Sequence, residues 1–206
     1  MPKKPPKQPE LKPWDRRPWP AAGDTDANVL YAAVGRALSQ WERLEAQLSL
    51  LFSAFVSGHN SEAARRAYVA VRTFEGRADM LRAVSDAWFD SHPAVELQGD
   101  FKKVLSGISS FSPRRNDIAH GVVDFWAPNG AAEEPEAAAF GWALYPTYAS
   151  FKDRDVKNAP KYCYTSPEIG HFETEFRNLL DPIRSLTRSL AVAGLFKMGA
   201  IGPMSL

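Results

Sequence analysis

Residues 112–121 read Ser-Pro-Arg-Arg-Asn-Asp-Ile-Ala-His-Gly. Ser112 suits an N-cap, where its hydroxyl accepts from an orphan N–H of the first turn. Pro113 fits the first helical position, where its missing N–H costs nothing. Gly121 suits the left-handed residue just past a helix end. The stretch therefore predicts one short helix with both ends marked. Asn116 and His120 are four apart and share a face. Arg114 and Arg115 lie further round, but their long side chains can wrap. The expectation is a compact polar site with two guanidinium groups and one imidazole.

Working outward, Leu97, Phe101, Val104, Leu105, Ile108 and Phe111 recur at helical spacing and deliver the chain to Ser112. After Gly121 the period changes to two. Val122–Trp126 predicts a strand, Phe140–Tyr145 a second, and Tyr148–Phe151 and Tyr162–Thr165 further ones. A low-complexity loop at 128–139 and a charged loop at 152–161 separate them. A small antiparallel sheet is thus inserted at about 122–165.

Long amphipathic helices flank this region. The first starts near Asp24, Thr25 and Asp26, all capping types, and ends at Gly58. Leu30, Val34, Leu38, Trp41, Leu44, Leu48, Leu51 and Phe55 form its stripe. Shorter helices are expected over Ser61–Thr73 and up to Asp90, with Gly76 interrupting them and His92-Pro93 ending the second. The last long helix opens at Ser166-Pro167-Glu168, and Pro182 is expected to kink it. The fold class read from this pattern is mainly α, an antiparallel helical bundle with a small antiparallel β insertion between the motif helix and the last long helix. Residues 24–200 make a single domain. Residues 1–23, with seven prolines in the first twenty positions, read as an extended or disordered tail, and 201–206 as a frayed end. Trp14 and Trp19 are unusual in a pure linker; they pack back on the domain or on a partner chain.

A net charge of +1 gives no global basic field, so any nucleic-acid patch has to be local. Cys163 is the only cysteine, which rules out an internal disulfide and fits a reducing compartment. No run of 18 uncharged apolar residues and no secretory h-region is present. The expected location is cytoplasmic, without a membrane partner.

Stronger chemical signals are missing from the sequence. It has no Gly-rich phosphate loop before a helix, no metal-ligand spacing and no Gly-x-Ser-x-Gly elbow. Neither a cofactor nor a metal is expected. His59, His92 and His171 lie at helix borders and read as caps or surface residues. What remains is Arg114, Arg115, Asn116 and His120. An imidazole moves protons near neutral pH. A guanidinium holds a phosphate and the extra charge of its transition state. Together they suit cleavage of a phosphodiester by its own ribose 2′-hydroxyl. Glu45 lies beside the apolar stripe of the first helix. It either takes Arg114 or Arg115 as a partner or reaches water at the stripe edge.

Arg115-Asn116, three residues, then His120-Gly121, after a helical run, resembles the signature of the HEPN superfamily. That motif is an Arg, four to six residues, then His, with a polar residue often following the Arg. Arg114 satisfies the spacing too, but Arg115 follows it, so the family's Arg role is carried onto Arg115 and Arg114 is auxiliary. The resemblance covers residues 27–121 and 166–198; the strands at 122–165 and the Pro-rich tail depart from the minimal bundle. It implies a helical bundle and a metal-independent endoribonuclease acting as a homodimer on RNA in a defence or toxin–antitoxin setting. His120 is then general acid or base, Arg115 stabilises the scissile phosphate and Asn116 orients one of them. An antitoxin or other partner protein is implied as well. Other members of the superfamily are non-catalytic modules that bind RNA, a nucleotide or a partner. Six aromatic residues near the inserted sheet, Trp126, Trp142, Tyr145, Tyr148, Tyr162 and Tyr164, either stack on unpaired bases or pack the sheet onto the bundle.

Overall fold

The structure is a computed structural model that describes residues 10–57, 61–126, 140–147 and 160–198; side chains at 126 and 194–198 lie outside the described set. In chain order the elements are α1 (Ala27–Ser57), α2 (Glu62–Ala70), α3 (Phe74–Ser91), α4 (Val95–His120), β1 (Gly121–Trp126), β2 (Gly141–Pro146), α5 (Ser166–Asn178) and α6 (Leu180–Met198). The chain is mainly helical, with a small two-stranded antiparallel sheet. Among the described residues no helix is long and apolar enough to cross a membrane.

The 31 residues of α1 span about 46 Å. Every other element packs on this helix. Leu30, Trp41, Leu44, Leu48 and Leu51 are essentially inaccessible to solvent. Each such side chain contributes roughly 1.5–3 kcal/mol by leaving water. A run of edge-to-face rings crosses the core: Phe74 on Trp41 at 5.3 Å, Trp41 on Phe176 at 5.1 Å, and Phe176 on Phe111 at 5.9 Å. A second cluster sets Phe55 against Trp88, Phe89 and Phe101.

Four expectations need correction. First, residues 112–121 do not form a helix of their own. They are the last turns of α4, which runs unbroken through Pro113. The reason is burial: Phe101, Leu105, Ile108, Phe111 and Ile118 make one continuous inward stripe on both sides of the proline. Packing along that stripe outweighs the roughly 3 kcal/mol that an interior proline costs. Second, Gly121 is not left-handed. It has φ −77° and ψ 159° and opens β1. Its lack of a side chain serves close packing, because a Cβ there would lie 2.7 Å from Leu144 Cγ. Third, the kink expected at Pro182 is a break at Leu179, between α5 and α6. Pro182 cannot donate to the Asn178 carbonyl, and its ring crowds that carbonyl. Fourth, Gly76 does not interrupt a helix. It lies in the first turn of α3, where its N–H donates to the N-cap Thr73 hydroxyl at 3.2 Å.

The sheet is smaller than expected. Gly121 pairs with Pro146 and Trp126 with Gly141 at the ends of the register. The Tyr162–Thr165 segment forms no strand, only a bridge from Tyr164 to Leu144. The expected strand at 148–151, the loop at 128–139, nearly all of the loop at 152–161, His59, Gly58 and the 201–206 end lie outside the described residues. The cap of α5 is one residue earlier than expected: Thr165 and Glu168 form a capping box. Ser166 is turned instead to Asp24, which accepts from its N–H and its hydroxyl at 2.7 Å each.

Residues 10–23 are a docked arm, not a free tail; residues 1–9 lie outside the described residues. Trp14 meets Phe111 edge-on at 5.9 Å, and Trp19 packs on Ala143 and Cys163. At the arm's end Asp24 and Trp142 exchange backbone hydrogen bonds of 2.7 and 2.8 Å. The crossing requires two glycines. A Cβ on Gly23 would lie 2.4 Å from the Gly141 carbonyl carbon, and one on Gly141 would lie 2.6 Å from that of Gly23. Backbone stands against backbone, so neither side can yield by turning a rotamer. Gly141→Ala is therefore expected to loosen the crossing at a cost of about 1–3 kcal/mol. Hydrogen exchange checks this: the Trp142 and Asp24 amides should lose protection before the α1 amides do. Unchanged protection at Trp142 would refute the backbone clash.

Candidate functional site on the motif helix

Arg114, Arg115, Asn116 and His120 lie on the last two turns of α4, in three different settings, and Glu45 lies on α1. Arg115 and Asn116 line a polar cleft of about 480 Å³ between α1, the α2–α3 turn and α4. Glu42, Glu45, Arg72, Thr73, Phe74, Glu75, Arg77 and Ser112 complete the wall. Arg115 donates from Nη1 to the Asn116 side-chain oxygen at 3.2 Å. Its closest carboxylate, Glu42, is 3.6 Å from Nη2, and Glu42 is two-thirds exposed. The Nε of Arg115 is buried without an acceptor.

His120 does not line this cleft. It is the last residue of α4, exposed, and among the described residues it has no hydrogen-bond or ion-pair partner. It stands one turn beyond Asn116, about 6 Å further along the axis. The continuous helix keeps Asn116 and His120 on one face, as their spacing requires.

Glu45 is buried, and its partner is neither Arg114 nor Arg115. Arg77 donates to Oε2 at 2.8 Å and the Trp41 indole to Oε1 at 3.1 Å. Arg77 is itself fixed by the Val71 carbonyl at 2.7 Å and stands over the Tyr68 ring. Sequence offered Glu45 either Arg114 or Arg115 as a partner or water at the stripe edge, and none of these is its partner, because Arg77 comes from α3, 32 residues away. Glu45 still shares a cleft wall with Arg115.

Arg114 faces the other way, toward the arm. Asp117 is the centre there, and sequence reading passed it over. Its carboxylate takes both Nε and Nη2 of Arg16 at 3.1 Å, and the Tyr164 hydroxyl at 3.0 Å. Arg114 lies 3.3 Å from the same carboxylate. The Tyr162 hydroxyl donates to the Asp117 backbone carbonyl at 2.9 Å, and Arg16 lies over the Tyr162 ring. The hydrogen bond to Asp117 raises Arg16 above its ordinary range. Burial, then the Asp117 charge, pushes Tyr162 up to about 12 and Tyr164 higher still. The available signal was an acid three residues after Arg114, the spacing of a helical ion pair. Arg16 was not findable from local pattern at all.

The aromatic residues divide. Tyr162 and Tyr164 are buried and stacked on each other at 5.0 Å, and Trp142 and Tyr145 are partly buried. They pack the sheet onto the bundle. Trp126's side chain and Tyr148 are outside the described residues. Cys163 is buried, and burial pushes its thiol up to about 12, so it stays protonated and inert. A roomier groove of about 610 Å³ between α3 and α4, lined by Arg82, Phe101, Lys102 and several serines, contains none of the motif residues.

Comparisons with family models, curated proteins and solved structures found no match for this chain.

Two outcomes follow from the Asp117 centre. Asp117→Ala should lower stability by about 2–3 kcal/mol, because two buried phenols lose an acceptor or its support while the half-exposed Arg16 is screened by water. Urea unfolding measures it, and a loss under 0.5 kcal/mol would refute the central role. The tyrosines also set an alkaline limit. Their folded values lie above the unfolded value of about 10, so their stabilisation is complete below pH 10 and is lost as pH rises toward 12. In a Tyr162→Phe/Tyr164→Phe variant, the melting temperature should fall less steeply over that window. An identical alkaline fall would assign the loss to other groups.

Proposed function

We propose that this chain is a metal-independent endoribonuclease of HEPN type that works as a homodimer. One observation carries the reading. An exposed histidine, with no hydrogen-bond or ion-pair partner among the described residues, stands one helical turn from an asparagine, beside an arginine set in a polar cleft. That is the minimum for internal phosphodiester transfer. A neutral imidazole takes the ribose 2′-proton, and the 2′-oxygen attacks phosphorus. The P–O5′ bond breaks, and the 5′-oxygen receives a proton from an acid. The products are a 2′,3′-cyclic phosphate and a 5′-hydroxyl. Arg115 balances the charge gathered on the phosphoryl oxygens, and Asn116, which already accepts from Arg115, fixes its orientation.

One imidazole cannot accept and donate in the same step. His120 is exposed at a helix end, a position a second copy can reach, so the partner's imidazole supplies the missing acid. A cytoplasmic defence or toxin–antitoxin setting, with an antitoxin as regulator, belongs to this reading through the motif's resemblance. A second reading is favoured by one fact: His120 does not line the cleft that contains Arg115 and Asn116. On that reading the chain is a non-catalytic HEPN-type module binding RNA, a nucleotide or a partner protein.

Cleavage of RNA in excess EDTA separates the two. The wild-type chain should cut and leave cyclic phosphate ends. His120→Ala and Arg115→Ala should each lose at least about 100-fold in rate at unchanged melting temperature. Full activity in His120→Ala would exclude the nuclease. A chain that binds RNA but never cuts it would establish the second reading.

A further inference from the structure

We infer that Arg72 is a second phosphate-binding residue and that, with Arg115, it makes the motif cleft a subsite for the backbone phosphate of RNA. The inference rests on the proposed RNA-directed function and adds a residue that the Arg-to-His motif does not contain.

The three guanidinium groups in the cleft are not equally occupied. Arg77 is spent on Glu45 and the Val71 carbonyl at 2.8 and 2.7 Å. Arg115 has a buried Nε without an acceptor, and only a 3.6 Å ion pair to Glu42 in place of a carboxylate hydrogen bond. Arg72 is exposed, and among the described residues it has no hydrogen-bond or ion-pair partner. Two underused guanidinium groups therefore open on one cleft from opposite walls, α4 and the α2–α3 turn. Around them stand the Ser112 and Thr73 hydroxyls and the Asn116 amide, which can donate to the remaining oxygens of a tetrahedral anion.

The acids on the wall decide what kind of anion fits. Glu45 is neutralised in place by Arg77 and Trp41. Glu42 and Glu75 are exposed and can swing into water. Glu42 thus engages Arg115 loosely, and a phosphate oxygen displaces it. A phosphodiester carries the single charge that two guanidinium groups overcompensate, whereas the acids repel a larger polyanion. Asn116, shared by the cleft and the His120 face, joins the held phosphate to the reacting end of the helix.

The test measures binding alone, by fluorescence anisotropy with a 2′-O-methyl oligoribonucleotide, which has no 2′-hydroxyl to react. Arg72→Ala should weaken binding about five- to tenfold, equally across sequences, and reduce the slope of log affinity on log salt by about 1. Glu42→Gln should tighten binding, because it removes the competitor for Arg115. Both residues are exposed, so neither change threatens the fold. Unchanged affinity and salt slope in both variants overturn the subsite, as does the absence of any RNA binding by the wild-type chain. If the two variants behave as expected but the wild-type chain does not cut RNA, the subsite stands and the nuclease reading falls. If the chain cuts RNA and Arg72→Ala binds as tightly as wild type, the reverse holds.

Discussion

Everything in this molecule depends on the burial of α1. A helix of 31 residues with inaccessible positions from Leu30 to Phe55 cannot stand alone in water. Each other element covers part of its surface, α5 and α6 the largest parts. This constraint also explains the polar groups. Glu45 lies within the covered region of α1, so it must be paired, and Arg77 and the Trp41 indole are the groups that α3 and α1 itself bring there. Glu45 and Arg77, whose ion pair joins α1 to α3, also line the cleft next to Arg115.

The motif helix therefore has two working sides. One side carries Arg115 and Asn116 into the cleft. The other gives Arg114 and Asp117 to the arm and to the two stacked tyrosines. The seven residues Arg114–His120 hold a candidate reaction centre and a structural joint, and adjacent residues belong to different ones. Asn116 faces RNA chemistry in the proposed reading, while Asp117 ties residues 101 positions apart.

Helical periodicity in the sequence revealed most of this architecture, because a buried stripe leaves its period in the residues that make it. Leu30 to Phe55 and Phe172 to Leu190 are examples, and α1, α5 and α6 follow them. The reading failed where local chemistry and packing disagreed. Ser112-Pro113 carries every mark of a helix start, yet Phe111 and Ile118 are both buried and keep the helix whole. Trp14 and Trp19 stand out in the Pro-rich arm and pack back on the domain, but Arg16 and Gly23 fix it as well, each through a residue far along the chain that no local pattern shows. The site was legible to the same degree. Arg115, Asn116 and His120 are neighbours on one helix, so their grouping follows from spacing. Arg72 and Arg77 entered only through the folded cleft, and the ties of Asp117 to Arg16 and Tyr164 only through contacts across the fold.

The arm's partners also order events in time. Asp24 meets Ser166 across 142 residues of chain, and Arg16 meets Asp117 across 101. At a synthesis rate of about 5–20 residues per second, roughly 7 to 30 seconds separate the appearance of Asp24 from that of Ser166. Closing so long a loop costs entropy that only an assembled core can offset. The arm is thus translated before the bundle and settles after it. Until it does, the Asp117 carboxylate has Arg114 and the Tyr164 hydroxyl but not Arg16, and the ring of Phe111 lacks the cover of Trp14. A nascent chain passes through an interval in which the reverse side of the motif helix is open, and the arm's arrival marks the end of folding.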